Sequence, residues 1–256
     1  MSGIRVEQRG RLAVLRLDKP RGNAIDGPLV DALKETARAL AADPDVRGVL
    51  LASAHPKVFC PGLDLVTLID YDRDALQRFM LRFAEAVWAL YGLPKPVVAA
   101  VGGHAVAGGC ILALTADYRV LRAGGAQMGL NEVKIGLPLP WSVAVLLRTT
   151  VPPGALAPVA LLGRNFADEE ARSAGLADEL ADAEGFEERC LQRLDEYADK
   201  DPFAFGTTKI YLRADALRAM QAHEEDRLSE WLDGWFSEPT RRRMREMVDA
   251  LSRPKG

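Results

Sequence analysis

The sequence predicts an α/β fold with a mainly parallel sheet. Amphipathic helical segments alternate with short apolar runs through the first 120 residues, and such runs are typical of buried strands. The C-terminal part differs, because no convincing strand follows residue 195 and helical stretches rich in Arg and Glu take over. We therefore divide the chain into a core, residues 1–195, and a C-terminal α-helical region, residues 196–256.

The N-terminal segment predicts a β-hairpin followed by a helix. Residues 4–8 and 12–17 flank a turn signal at Gly10. The second run is apolar at both odd and even positions, as in a strand that is covered on both faces. Asp26 is then a good N-cap, with Pro28 in the first turn of the helix. Apolar residues follow at helical spacing: Leu29, Leu33, Ala37 and Leu40.

The next elements repeat this alternation. The first helix ends before Pro44, because a residue that precedes proline is disfavoured in the α conformation. A buried strand is predicted for residues 46–54, a helix for about 74–93 and another strand for Val97–Val101. The apolar stripe of the second helix is interpreted as core packing, and it comprises Leu76, Phe79, Met80, Phe83, Val87 and Leu90. In the C-terminal region the predicted helices are residues 205–225 and 228–251.

Composition and charge exclude several classes of protein. Hydrophobic residues at 48% and charged residues at 27% are ordinary globular values, which argues against disorder. No apolar run approaches the roughly 20 residues that span a bilayer, so we expect no membrane protein. The net charge of -3 excludes nucleic-acid binding through bulk charge. Three cysteines without CxxC spacing favour a reducing compartment, so we expect a cytoplasmic protein, and the excess of Arg over Lys indicates a bacterial source.

The first candidate site segment is residues 58–65, just after a predicted strand. Pro61 lacks an N–H donor and Gly62 permits a tight or left-handed turn. The next backbone N–H, on Leu63, is then free to point into a cavity. A plain strand-to-helix turn with Asp64 as a cap is the alternative interpretation.

The second candidate segment, residues 102–110, places glycines at the start of a helical run at residues 111–116. The first N–H groups of a helix have no internal partner, so they can stabilise an oxyanion or a phosphate. The spacing matches neither GxGxxG nor a P-loop, which disfavours nucleotide binding, and a glycine-rich turn for close packing is equally compatible with it.

The third candidate segment, residues 128–141, contains one glutamate among apolar residues, prolines and glycines. Burial of Glu132 in such surroundings would raise its pKa towards that of a useful general base. The alternative is a surface glutamate paired with Lys134.

Together, two N–H donors and one desolvated carboxylate suit removal of a proton next to a carbonyl group. His55 and His223 are predicted to be solvated, and His104 is assigned a packing role, with a place in the pocket wall as the alternative. No Ser-His-Asp arrangement can be recognised, and we predict no metal site.

The motifs resemble those of the crotonase superfamily, also called the enoyl-CoA hydratase/isomerase family. The matching stretches, in family order, are Gly22-Asn23-Ala24-Ile25, residues 59–65, residues 105–110, residues 129–132 and Ile135-Gly136-Leu137-Pro138. The resemblance implies a crotonase-like spiral of ββα units with a C-terminal helical trimerisation region. It also implies an acyl-CoA thioester as substrate, no separate cofactor because coenzyme A is part of the substrate, and a homotrimer or a dimer of trimers.

The resemblance assigns the oxyanion hole to the N–H groups of Leu63 and Gly108. Hydratases of the family use two glutamates, and this chain keeps Glu132 but has Ile111 at the other position. Because an apolar side chain cannot activate a water, the chain looks most like the Δ3,Δ2-enoyl-CoA isomerase branch. Glu132 would then carry a proton from C2 to C4.

For the coenzyme, the resemblance points to Arg21, Ala24, Pro61 and Leu65. Candidates for the wall of the acyl pocket, or equally for the core, are Phe59, Leu137 and Trp141.

Two alternatives to isomerisation stay open at this point. One is another crotonase-family reaction on an acyl-CoA, such as hydration. The other is a non-catalytic scaffold or RNA-binding relative, suggested by the basic run Arg241-Arg242-Arg243-Met244-Arg245. That run is equally the solvated face of a helix or a contact to a coenzyme A phosphate.

Overall fold

The computed structural model describes residues 3–20 and 22–252. The strands are β1 (Ile4–Arg9), β2 (Leu12–Leu17), β3 (Gly48–Ser53), β4 (Val58–Cys60), β5 (Val97–Val101), β6 (His104–Val106), β7 (Tyr118–Arg122), β8 (Gln127–Gly129), β9 (Asn165–Ala167) and β10 (Glu179–Ala181). The helices are α1 (Gly27–Ala42), α2 (Leu65–Leu68), α3 (Arg73–Tyr91), α4 (Gly108–Leu114), α5 (Glu132–Ile135), α6 (Trp141–Thr150), α7 (Leu156–Leu161), α8 (Asp168–Ser173), α9 (Phe186–Ala198), α10 (Pro202–Phe236) and α11 (Glu238–Ser252).

A six-stranded sheet, in the order β1-β2-β3-β5-β7-β10, forms the larger part of the core. β1 and β2 form the expected antiparallel hairpin, and the other strands pair in parallel. The N-cap of α1 is Asp26, whose carboxylate accepts a hydrogen bond from the N–H of Leu29. The predicted α/β fold with mainly parallel pairing is confirmed.

Both faces of this sheet are covered, as the β2 sequence predicts. Every residue of β2 is buried. Its odd positions, such as Leu15, contribute to a core shared with α1 and α3, whereas its even positions, such as Val14, contact the apolar side of α9. The alternating direction of side chains along a strand therefore explains why an apolar run without polar alternation is a strand here.

A smaller sheet, in the order β4-β6-β8-β9, positions the candidate site. β4, β6 and β8 are parallel neighbours, and β9 is antiparallel to β8. Each of the three sequence segments singled out above contains the end of one of these parallel strands and the turn after it. Because the carboxyl ends of parallel strands lie at the same edge of a sheet, the three segments meet there.

The C-terminal region is helical, as predicted, but its break lies further along the chain. Helix α10 runs unbroken for 35 residues and α11 follows it directly, so the expected interruption near residues 226–227 is wrong. α10 packs on α3 and α6, and Asp117 anchors it by accepting hydrogen bonds from Lys209 (2.6 Å) and Arg213 (2.7 Å). Among the described residues, no helix combines the length and apolarity required to cross a membrane.

Candidate active site

The turn after β4 holds the backbone of Leu63 between two hydrogen bonds to its neighbours. The N–H of Ile25 donates to the carbonyl of Gly62 (2.8 Å), and the N–H of Asp64 donates to the carbonyl of Ile25 (2.9 Å). Gly62 has a φ of 99°, a left-handed conformation that glycine adopts without strain. Within the described part of the chain, the N–H of Leu63 donates to no acceptor. It is therefore a fixed and available donor.

The turn after β6 presents a second such donor at the start of α4. Ala107 donates its N–H to the carbonyl of Gly129 (2.8 Å), whereas the N–H of Gly108 has no acceptor among the described residues. A Cβ on Gly108 would lie 3.3 Å from the Cα of Gly62, so the two turns are in contact. Glycine at both positions therefore lets the two free N–H groups belong to one site.

Ala107 is strained, with φ of 49° and ψ of -123°. A non-glycine residue in a sparsely populated region costs on the order of 1–3 kcal/mol and persists where the surroundings impose it. Here the bond to Gly129 on β8 and the contact of the Ala107 Cβ with the Gly62 turn provide that constraint. Such strain sets the direction of the next N–H, which belongs to Gly108.

Glu132 begins the short helix α5 and is buried, with 7% of its surface exposed. Its Oε2 atom has no hydrogen-bond partner in the described structure. Burial raises the pKa of Glu132 to about 7, because a carboxylate loses its hydration there. This side chain can accept and release a proton near neutral pH, as the sequence predicts for it.

The raised pKa of Glu132 makes protein stability pH-dependent in a direction opposite to that of most acidic groups. The folded protein binds a proton more tightly than the unfolded chain, so this contribution to the unfolding free energy is lost as pH rises from about 4.5 to about 7. Relative to the native protein, Glu132→Gln should gain roughly 2–3 kcal/mol of unfolding free energy between pH 5 and pH 8. Urea unfolding of both proteins at pH 5 and at pH 8 measures these free energies. The same difference between variant and native protein at both pH values would contradict the burial of a titrating carboxyl group.

A cavity of about 90 Å³ joins these groups. Its wall is formed by Pro61, Leu63, Leu65, Met80, Phe83, Ala107, Gly108, Ile111, Asn131, Glu132, Ile135, Leu137, Pro140, Trp231, Trp235 and Met247. Among these described lining residues Glu132 alone is ionisable. An apolar cavity with one carboxyl group and two main-chain donors is suited to proton transfer on a carbon acid, since no other acid or base competes.

The C-terminal helices complete this cavity, which the sequence analysis did not anticipate. Trp231 and Trp235 come from α10 and Met247 from α11, while Met80 and Phe83 come from α3. The α3 residues belong to the stripe interpreted as core packing, and they are buried there while also lining the cavity. The sequence pattern that could have indicated this role is the four-residue spacing of Trp231 and Trp235, which places both on one face of the helix.

Most of the predicted site residues line the cavity. Leu63, Gly108, Glu132, Pro61 and Leu65 line the cavity. Leu137, which was left open between pocket wall and core, lines it too.

Phe59 and Trp141, which were left open between pocket wall and core in the same way, do not line the cavity. Phe59 is fully buried in the core. Trp141 packs against α10, where its indole N–H donates to the carbonyl of Ala219 (2.8 Å).

At the predicted coenzyme side, the loop before α1 is tied to the Leu63 turn by Lys19. Its ammonium group donates to the carbonyl of Ala24 (2.7 Å) and contacts the carboxylates of Asp26 (2.7 Å) and Asp64 (3.3 Å). Sequence reasoning did not identify Lys19. Arg21, the predicted phosphate partner, lies outside the described residues.

The remaining candidates lie away from the cavity. His104 is exposed and does not have the packing role assigned to it. In the basic run, Arg241 donates to the carbonyl of Ile69 (2.6 Å) and Met244 is fully buried. The run therefore belongs to a helix that packs on the protein through Arg241 and Met244, while its other arginines are exposed.

Comparison with known proteins identifies the family of the chain. Residues 7–234 match the Enoyl-CoA hydratase/isomerase family. Carnitinyl-CoA dehydratase of Proteus mirabilis is 29% identical over 212 residues, covering 82% of this chain and 80% of that protein. Human mitochondrial enoyl-CoA delta isomerase 1 is 29% identical over 217 residues, covering 84% of this chain and 72% of that protein.

A solved structure shows the same fold. The crystal structure of human mitochondrial delta3-delta2-enoyl-CoA isomerase superimposes on this chain with a TM-score of 0.94 at 24% sequence identity. The superposition covers 99% of this chain and 100% of the isomerase chain. The expected crotonase-like fold is therefore confirmed. The chain belongs to the enoyl-CoA hydratase/isomerase family, the crotonase superfamily.

Proposed function

We propose that the protein is an isomerase that converts a 3-enoyl-CoA thioester into a 2-enoyl-CoA thioester. One observation carries this proposal: Glu132 is the single ionisable residue among the described residues of the cavity wall, and the apolar Ile111 lines the same cavity. A double-bond shift needs one group that removes and returns a proton, whereas hydration also needs a second group that activates water. A relative named as an isomerase adds support, although another is named as a dehydratase.

In the proposed reaction, the carboxylate of Glu132 removes a proton from C2 of the substrate. The electrons of that C–H bond move into the thioester and produce a dienolate, whose oxygen accepts hydrogen bonds from the N–H groups of Leu63 and Gly108. Glu132 then protonates C4, and the double bond forms between C2 and C3. The two donors are rigidly held before the reaction, so they stabilise the developing charge without reorganisation.

We further propose that the coenzyme A moiety lies along the loop before α1 and the Leu63 turn. Ala24, Pro61 and Leu65 belong to this surface, and Pro61 and Leu65 line the mouth of the same cavity that holds Glu132. Arg21 would pair with a phosphate of the coenzyme. This placement leaves the apolar interior to the acyl chain.

The choice between isomerisation and hydration can be tested directly. The protein is incubated with a 3-enoyl-CoA and, separately, with a 2-enoyl-CoA in ¹⁸O-labelled water. We expect 2-enoyl-CoA from the first substrate and no labelled 3-hydroxyacyl-CoA from the second. Labelled 3-hydroxyacyl-CoA as the main product would establish the hydratase alternative.

The pKa of Glu132 predicts the pH dependence of isomerisation. Since the base acts in its charged form, kcat/KM should rise about tenfold per pH unit below pH 7 and level off above about 7. Initial rates at subsaturating substrate between pH 5 and pH 9 measure this curve. An inflection near pH 4.5 would mean that the base is a solvated carboxylate and not the buried Glu132.

We also propose self-association through the C-terminal region, as a trimer or a dimer of trimers. On α10, Phe203, Tyr211 and Leu212 each expose more than 75% of their surface, which is unusual for large apolar side chains. Replacing Phe203 and Leu212 with Glu should dissociate the oligomer. Sedimentation velocity would show this, and a native protein that sediments as a monomer would contradict the proposal.

A further inference from the structure

The cavity that contains Glu132 is small for a site that binds an acyl chain. Its volume is about 90 Å³, whereas ligand cavities typically measure about 300–1,000 Å³. An apolar cavity of about 150 Å³ holds one benzene molecule, which corresponds to about 25 Å³ for each carbon atom. At that density the cavity has room for about four carbon atoms. The reacting carbons of a 3-enoyl thioester, C1 to C4, therefore fill it.

Helices α3 and α10 close the cavity on one side. Met80 and Phe83 of α3 and Trp231 and Trp235 of α10 each expose no more than 3% of their surface. A side chain that borders a cavity and has almost no accessible surface leaves no gap beside it for a further atom. The two helices pack on each other, and the two indole rings stack with centroids 5.2 Å apart. The cavity therefore ends at these four side chains.

More exposed residues of the cavity wall lie on other elements, at the mouth. Pro61 is exposed in the turn after β4, Leu65 is partly exposed at the start of α2, and Met247 of α11 exposes 37% of its surface. Helices α2 and α11 contact each other, so these residues lie at one opening. With the coenzyme on this side, as proposed above, the acyl chain extends from the thioester towards the buried side chains of α3 and α10.

We infer that the protein acts on short acyl chains, and that the buried side chains of α3 and α10 at the end of the cavity set this limit. The inference rests on the proposed acyl-CoA site. The upper limit is about six carbons, since the adaptable side chain of Met80 can give way to about two carbons beyond C4. A longer chain would have to displace aromatic rings from the core, and overpacking a core is unfavourable. Chain length is thus selected by steric exclusion.

Binding of saturated thioesters tests this inference independently of catalysis. Acetyl-CoA, butanoyl-CoA, hexanoyl-CoA, octanoyl-CoA and decanoyl-CoA are titrated calorimetrically into the native protein. Burial of one CH₂ group is worth about fourfold in affinity, so butanoyl-CoA should bind roughly 16-fold more tightly than acetyl-CoA. Octanoyl-CoA and decanoyl-CoA should bind no more tightly than hexanoyl-CoA. Tighter binding of decanoyl-CoA than of hexanoyl-CoA, equal binding of all five thioesters, or binding of none would overturn the inference.

Substitution then tests whether these side chains set the limit. Phe83→Ala removes a ring and opens a space on the order of the one that holds benzene, and Met80→Ala opens a smaller one. In at least one of them octanoyl-CoA should bind about tenfold more tightly than hexanoyl-CoA. Phe79→Ala is the matched control, because Phe79 is fully buried on the same helix outside the cavity wall, and it should keep the native limit.

Thermal melting verifies that each variant is folded, and the native series decides by itself if one is not. A native limit that persists in both folded cavity variants would overturn the inference.

Failure of this inference is distinguishable from failure of the proposed function. A binding limit near six carbons without isomerisation of any 3-enoyl-CoA would leave the inference standing and contradict the isomerase assignment. Isomerisation of 3-decenoyl-CoA at least as fast as that of 3-hexenoyl-CoA, with tighter binding of decanoyl-CoA, would have the opposite meaning.

Discussion

Glu132→Gln should lower kcat for isomerisation of a 3-enoyl-CoA by roughly 10²- to 10⁴-fold, the usual contribution of a general acid–base group. The amide has nearly the same shape as the carboxyl group but cannot accept the C2 proton. The burial of Glu132 leaves little room for a replacement, since no other ionisable side chain is found among the described residues of the cavity wall. Formation of the conjugated 2-enoyl thioester, followed by its ultraviolet absorbance, measures the rate.

Glu224→Gln is the matched control for this experiment. Glu224 is 2% exposed, and its carboxylate accepts a hydrogen bond from the N–H of Ser142 (2.7 Å) outside the cavity wall. A glutamine oxygen can accept the same bond, so the control should retain kcat within a few-fold. Native activity in Glu132→Gln would show that the base has been assigned wrongly.

Gly108→Ala should lower kcat/KM by about 10²- to 10³-fold, the effect of losing one donor of an oxyanion hole. A Cβ at this position would lie 2.8 Å from the Cδ1 of Ile25 and 3.3 Å from the Cα of Gly62. The first distance is shorter than real contacts allow, so either the Cδ1 of the fully buried Ile25 or the turn must move. We expect the turn to shift and to displace the N–H of residue 108. Steady-state kinetics of the variant measure the loss.

A second substitution tests whether this displacement is the cause. Ile25→Val removes Cδ1, the atom that the new methyl group would contact most closely. The double variant Gly108→Ala/Ile25→Val should recover at least tenfold of the lost kcat/KM, whereas Ile25→Val alone should stay near native activity. Full activity in Gly108→Ala alone would contradict the expected displacement of this N–H.

The sequence predicted those parts of the fold that depend on local patterns. The burial of β2 on both faces and the cap of α1 at Asp26 follow from residues that are neighbours in the chain. The break predicted within α10 is absent because a buried stripe continues across it to Leu228 and Trp231. In the structure Glu224 belongs to that buried stripe, because its carboxylate oxygen accepts a hydrogen bond from the N–H of Ser142.

The residues of the candidate site also divide into those that local sequence patterns predict and those that they do not. Leu63, Gly108 and Glu132 each follow a strand of the smaller sheet, so their place in the site could be inferred from a strand, a turn and a nearby glycine or proline. Trp231 and Trp235 reach the cavity from a helix about 100 residues beyond Glu132. Nothing local in that helix identifies its partner surface, because side-chain contacts over such separations depend on the tertiary packing.

The most direct test of the proposed proton shuttle uses a 3-enoyl-CoA that carries two deuterium atoms at C2. If one buried carboxyl group removes and returns the proton, part of the deuterium should appear at C4 of the 2-enoyl-CoA product in a single turnover in ordinary water. Mass spectrometry of the product measures this transfer. A product whose new C4 hydrogen comes entirely from the solvent would contradict a single-glutamate shuttle.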